Sequence, residues 1–198
     1  VTWSGASSLA WWARTTGIAE GDLLAELPER VERPSPVIFL PYLSGGRTPH
    51  NDGAIRGVFA GRSSGTTRAD MTQAVLEGVA FSFRDVVDVL ADAHSPLTQA
   101  DVIGGGSRSR LWISIIATVT GVSLHRLAHG EQGGAFGAAR LARLAVTGES
   151  VRDVCLAPQR VETVHPDAAL SGAYDVSLAR YRALYGGVRD AMRYGAAT

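Results

Sequence analysis

Lysine is absent: all 19 basic residues of the 198-residue chain are arginine. A lysine-bearing phosphate loop and a Schiff-base lysine are therefore excluded. Phosphate, if the chain meets it, is met by backbone N–H groups, helix ends or arginine. Cysteine occurs once, at Cys155. That excludes an intrachain disulfide and a multi-cysteine metal site, and it suits the reducing cytoplasm. Cys155 stands between polar runs with no histidine near it before His165, so it is not read as a nucleophile. No apolar run approaches the ~18 residues that would span a membrane. A secretory leader is not expected either. A charge excess is also lacking. Nineteen basic residues balance nineteen acidic ones, which argues against nucleic acid and anionic membranes as partners.

What is present fits one globular domain. Hydrophobic residues make up 45% and charged residues 19%, and a chain of this length can bury about 70% of its unfolded surface. It opens mid-pattern at Val1-Thr2-Trp3 with no initiator methionine. It is expected to be a fragment preceded by an N-terminal part.

The pattern predicts a helix over 4–16, with Leu9, Trp12 and Ala13 on one face and Gly17 as its stop. Asp22 is a candidate N-cap for the Leu23–Leu27 segment. The proline-rich stretch 28–36 reads as a linker, 37–40 as a strand, 43–50 as a loop and 55–59 as a second strand. The longest helix is expected over 67–93. Thr67 or Asp70 caps it, and Val75, Val79, Phe83, Val86 and Val87 recur at helical spacing. Gly78 in its middle costs about 1 kcal/mol against alanine, which points to close packing there. A buried strand over 100–103 should deliver Gly104-Gly105-Gly106 to a helix opening at Ser107 and ending at Gly121. A strand over 122–127, a small-residue helix over 133–146 and a mostly irregular stretch over 151–164 follow. The last helix is expected over 166–191, with Tyr174, Leu178, Tyr181 and Leu184 on its face. Strands alternating with helices indicate an α/β fold with partly parallel pairing.

Three segments are candidates for chemistry. The first is ADVIGGGSRSRLW, residues 100–112. Glycines bend the chain sharply and admit a ligand where a Cβ would stand, and a helix N-terminus attracts an anion. A dinucleotide fingerprint fails here. Ser109 takes the place of its third glycine, and Leu124 and His125 stand where its acidic residue belongs. A nucleotide site of another fold and a ligand-free tight turn both remain open. The second segment runs from Gly130 to Ala139, whose small residues suit either close helix packing or a flat ligand. His125, His129 and Glu131 nearby are read as solvated loop residues, because their spacing bridges a strand and a helix rather than one helical face. The third is the loop from Gly45 to Asp52, either a substrate or interface loop or a surface turn. In it Arg47 suits a bidentate carboxylate partner and His50 is a candidate base. Asp85, Asp88 and Asp92 read as the solvated face of a helix.

Taken in order, ASSLAWW (6–12), IFLPYLSGGRTPH (38–50), AVLEGVAF (74–81), IGGGSRS (103–109) and GGAFGAARLA (133–142) resemble the C-terminal domain of the FGGY carbohydrate kinases. The 41–50 loop is most like that of the members acting on D-xylulose. The resemblance covers about residues 1–148 and fits the final helix more loosely. It implies an α/β, ribonuclease H-like, actin-type ATPase domain. Residues 1–198 would then form the C-terminal, nucleotide-binding half of a two-domain sugar kinase whose sugar-binding domain is missing from this chain. It implies that ATP, with Mg²⁺ on its phosphates, phosphorylates the 5-hydroxyl of D-xylulose. It implies that Gly105, Gly106 and Ser107 line the adenine and ribose, and that Arg110 lies beside the base, where its plane could stack. At the position of Arg110 several members have Asn instead. Gly46 departs from the family pattern, standing where this subfamily usually has Glu, and a second departure is what is missing. The family's sugar contacts, its catalytic Asp and its loop for the β- and γ-phosphates fall upstream of residue 1. Phosphoryl transfer needs both sides of the cleft, so this chain alone is not expected to turn over. An apolar patch exposed toward the absent domain would allow a homodimer. The alternatives are a kinase of the same family acting on another ketose or polyol, and a non-catalytic binding domain.

Overall fold

In the computed structural model, which describes residues 5–194, local signals place most elements where the sequence indicates. Ser4, the first residue of the expected N-terminal helix, lies outside the described residues, as do Val1 to Trp3. Helix α1 (Ala6–Thr16) buries Leu9 and Trp12 and stops at Gly17, which takes the left-handed φ of 72°. Helix α2 (Glu20–Ala25) is capped at Ala19. Asp22 is thus not its N-cap. With Glu20 it stands in the first turn, where carboxylates favour the positive end of the helix dipole.

Strands β1 (Ile38–Leu40) and β2 (Val58–Ala60) pair antiparallel, Phe39 opposite Phe59. The second strand begins three residues later than its alternation suggests. Asp52 Oδ1 accepts from the N–H groups of Ala54 and Ile55, a side-chain turn that takes those residues out of the ladder. Ile55 is nonetheless fully buried.

Helix α3 (Arg68–Asp92) starts with a reciprocal capping box. Thr67 Oγ1 accepts from Asp70 N–H, and the Asp70 carboxylate accepts from Thr67 N–H. Its centre lies against β1, and Gly78 faces the Phe39 carbonyl. Strand β3 (Gln99–Val102), helix α4 (Arg110–Thr120), strand β4 (Ser123–Leu127), helices α5 (Gly133–Thr147) and α6 (Val151–Val154), strand β5 (Arg160–Val164) and helix α7 (Ala168–Tyr194) complete the order. The second sheet runs β3-β4-β5, parallel between β3 and β4 and antiparallel between β4 and β5. β5 lies in the stretch read as mostly irregular. Only Val164 of its five residues is buried, so the strand carries little apolar periodicity. β3 is an edge strand with exposed and half-buried positions, not a buried one.

The main core gathers α1, β1, α3, α4 and α7 around Leu9, Phe39, Leu76, Phe81 and Tyr181. A smaller one joins α4 to the sheet through Ile113, Val122, Leu124 and Val164. Two polar residues read as solvated are buried instead. Asp85 is 5% exposed because α7 brings Arg182 to 2.8 Å from it. His125 sits on β4 between Thr163 Oγ1 at 2.8 Å and Gln99 Oε1 at 2.9 Å. Helix α5, in contrast, has no buried residue. Among the described residues no helix is long and apolar enough to cross a membrane.

Candidate functional site

Three glycines bring the chain out of β3 and reverse it. Gly104 takes φ 86°, a conformation that side chains rarely adopt. Its N–H donates to the Gly130 carbonyl at 2.8 Å, tying the turn to the loop after β4. Residues Gly105–Arg108 then form a 3₁₀ turn. The buried Ser107 closes it, its N–H and its hydroxyl both donating to the Gly104 carbonyl, at 3.0 and 2.8 Å. Helix α4 therefore opens at Arg110, not at Ser107. Ser109 is its N-cap, accepting from Trp112 N–H at 3.2 Å.

The turn borders a cavity of about 560 Å³, a size usual for small-molecule sites. Gly105, Gly106, Arg108, Ser109 and Trp112 line one side, and residues of α1 and α2, including Leu9 and Glu20, line the other. A Cβ at Gly105 would meet nothing within 4 Å, while one at Gly106 would stand 3.3 Å from the Trp112 ring. The N–H groups of Gly105 and Gly106 open a helical turn, a position with no partner inside the turn itself. Space left by a missing Cβ, amide donors and an aromatic floor together suit the flat, polar-edged nucleoside end of a nucleotide.

Of the four residues singled out from sequence, Gly105 and Gly106 face this cavity together. Ser107 is adjacent, but its hydroxyl is spent within the turn. Arg110 is not among the lining residues. Its guanidinium, 69% exposed, donates from Nε to Glu162 Oε1 at 2.6 Å. The second Glu162 oxygen accepts from Arg126 at 2.7 Å, and these two arginines hold the Glu162 carboxyl below the usual carboxylate range. Trp112 is a lining residue that sequence reasoning did not single out, although it closes the motif. Its Nε1–H donates to the Leu76 carbonyl at 3.0 Å.

The Gly45–Asp52 loop lies elsewhere, against α3 and α7. His50 stacks on Tyr185 with ring centroids 3.8 Å apart. Its Nε2 is 3.9 Å from Asp85 Oδ2, and burial pushes the imidazole below its ordinary pKa. No group of three His, Cys, Asp or Glu side chains among the described residues could hold a metal ion.

Known proteins share this architecture. The xylulose kinase of Escherichia coli strain K12 is 38% identical over 184 residues, covering 92% of this chain and 38% of that protein. A solved structure described as a xyloylose kinase from Brucella ovis superposes with a TM-score of 0.83 at 44% identity, over 96% of this chain and 39% of that one. The xylulose kinase from Rhodospirillum rubrum gives a TM-score of 0.73 at 30% identity, over 97% of this chain and 40% of that one. The chain thus spans about two-fifths of the length of these relatives. The fold is the α/β, actin-type domain that the resemblance implies. With residues 2–146 matching the C-terminal domain of the FGGY family of carbohydrate kinases, the chain belongs to that family.

Proposed function

We propose that the chain is the nucleotide-binding half of a kinase that transfers the γ-phosphoryl group of ATP to the 5-hydroxyl of D-xylulose. The observation that carries this reading is the Gly105-Gly106 corner, which opens without a Cβ on a 560 Å³ cavity floored by Trp112. Relatives named xylulose kinase, at 38 and 42% identity, support the choice of sugar.

In this reading Gly105 and Gly106 admit the adenine and ribose and offer backbone N–H groups. Ser107 keeps the turn closed. Arg110 stands at its outer edge, held by Glu162. Mg²⁺ enters with the substrate, on the ATP phosphates. D-xylulose, its base and the contacts to the β- and γ-phosphates belong to the remainder of a longer protein, because transfer in line needs both reactants fixed. The chain alone then binds ATP without turning over. Balanced charge gives no attraction to nucleic acid or membrane surfaces, and a single exposed cysteine suits the cytoplasm.

The test is Gly105→Leu in the full-length kinase. The new side chain has open space around its Cβ, so folding is retained, and it intrudes on the cavity beside Gly106. The KM for ATP rises about tenfold, equivalent to roughly 1.4 kcal/mol, while the KM for D-xylulose stays within about twofold. An unchanged ATP KM would place the nucleotide elsewhere and end the reading.

A further inference from the structure

We infer that Glu162 is a positioning residue for the nucleotide, holding the Gly105–Arg108 turn in its receiving shape through Arg126. The inference rests on the nucleotide reading above and adds to it a residue from outside the family match, which ends at 146.

The turn needs such support. Three consecutive glycines carry the largest backbone entropy of any residue type, and a four-residue 3₁₀ turn has few bonds of its own. On one flank it is tied by Gly104 N–H to the Gly130 carbonyl. On the other, Arg126 of β4 donates from Nε to the Ser107 carbonyl at 3.1 Å. That guanidinium is itself oriented by Glu162 of β5, which accepts its Nη1–H at 2.7 Å. The other Glu162 oxygen holds Arg110, the first residue of α4. One carboxylate thus fixes two arginines, one bonded to the turn and one at the start of the helix that follows it. Glu162 is 27% exposed and Arg126 31% exposed, so the network is screened only in part.

A second ion pair on the same strand supplies the control. Arg160 binds Asp101 of β3 at 2.9 Å and has no bond to the turn. If the ion pairs merely stabilise β5, both pairs matter alike. If Glu162 positions the turn, only its loss reaches ATP.

The experiment compares Glu162→Gln, Arg126→Gln, the double variant and Arg160→Gln in the full-length kinase, with Gly105→Leu alongside. Glu162→Gln raises the KM for ATP about fivefold, the scale of a partly exposed charge network. It leaves kcat and the KM for D-xylulose within about twofold. Arg126→Gln does the same, and adding Glu162→Gln to it has little further effect. Arg160→Gln changes neither KM. Should Glu162→Gln fold poorly, Arg126→Gln carries the same prediction from the other end of the link. An unchanged ATP KM in both, with Gly105→Leu still effective, overturns this inference alone. A lack of effect from Gly105→Leu overturns the nucleotide reading with it. Equal rises in both KM values, or an Arg160→Gln variant matching Glu162→Gln, would reduce Glu162 to a structural strand residue.

Discussion

Gly78→Ala should lower stability, although the same change in an exposed helix raises it. At a solvated helical position, alanine gains about 1 kcal/mol over glycine. Gly78 sits at the buried centre of α3, facing β1. A Cβ there would overlap the Phe39 carbonyl oxygen and come within 3.1 Å of its carbonyl carbon. The obstacle is backbone, and it cannot yield cheaply, because Phe39 is paired with Phe59 across the β1-β2 ladder. Overpacking a core costs about 1–3 kcal/mol, and a clash with main chain belongs at the upper end. Subtracting the propensity gain leaves a net loss of about 2 kcal/mol. In a domain of this size each kcal/mol moves Tm by about 2–4 °C, so a fall of about 4–8 °C follows. Thermal unfolding by circular dichroism reads it, and a urea midpoint with unchanged slope would show that the folded state, not the unfolded ensemble, is affected. A Tm equal to or above that of the parent would refute the argument that Gly78 exists to let α3 touch β1.

Two further expectations concern buried carboxyls. Glu77 is 1% exposed and accepts from Ser35 N–H, Gln73 Nε2 and the Tyr174 hydroxyl, yet desolvation pushes its pKa up from 4.5 to about 7. The folded state then binds this proton more tightly than the unfolded chain. Its contribution is complete below pH 4.5 and is lost as the pH rises through 7, a swing of about 3 kcal/mol. The stability difference between the parent and Glu77→Gln should fall by that amount from pH 4 to pH 8; a flat difference would contradict it. Arg182→Ala leaves the Asp85 carboxylate buried without its cation, which costs about 3 kcal/mol near neutrality. Burial already raises the Asp85 pKa, so protonation on acidification should shrink that loss; an equal loss at pH 8 and pH 4, measured by denaturant titration, would count against it.

These cases also mark what was legible in the sequence. The Thr67 and Asp70 cap, the Gly17 stop and the Gly78 contact were legible because each is decided within a few residues or by one residue's shape. The burial of Asp85 was not. At its own helix face it looks solvated, and the arginine that covers it lies 97 residues away. β5 escaped for a related reason. An edge strand held by Arg160, Glu162 and a single buried valine has charge where periodicity would have to be. At the glycine corner the position was legible and the geometry was not. Glycines announce a reversal, but the choice of a 3₁₀ turn over an immediate α-helix depends on Ser107 and Ser109 each finding a local carbonyl or amide. Arg110 shows the same limit, since its partner is 52 residues away.

The core and the corner are nevertheless one mechanical unit, and Trp112 joins them. Its indole is 3% exposed and donates to the Leu76 carbonyl of α3, 36 residues earlier in the chain. Its ring lies 3.3 Å from where a Gly106 Cβ would stand. Gly78 lets α3 approach β1, and Leu76, two residues before it on the same helix, accepts from the Trp112 indole that lines the cavity. A tryptophan suits this place because it is large enough to fill the α3–α4 junction and carries one N–H that fixes its rotation. Phenylalanine would fill most of the volume without fixing the orientation. The AVLEGVAF and IGGGSRS segments, far apart in sequence, thus serve one purpose: the first determines how closely α3 approaches the sheet, and the second presents the glycine edge that this approach holds in place.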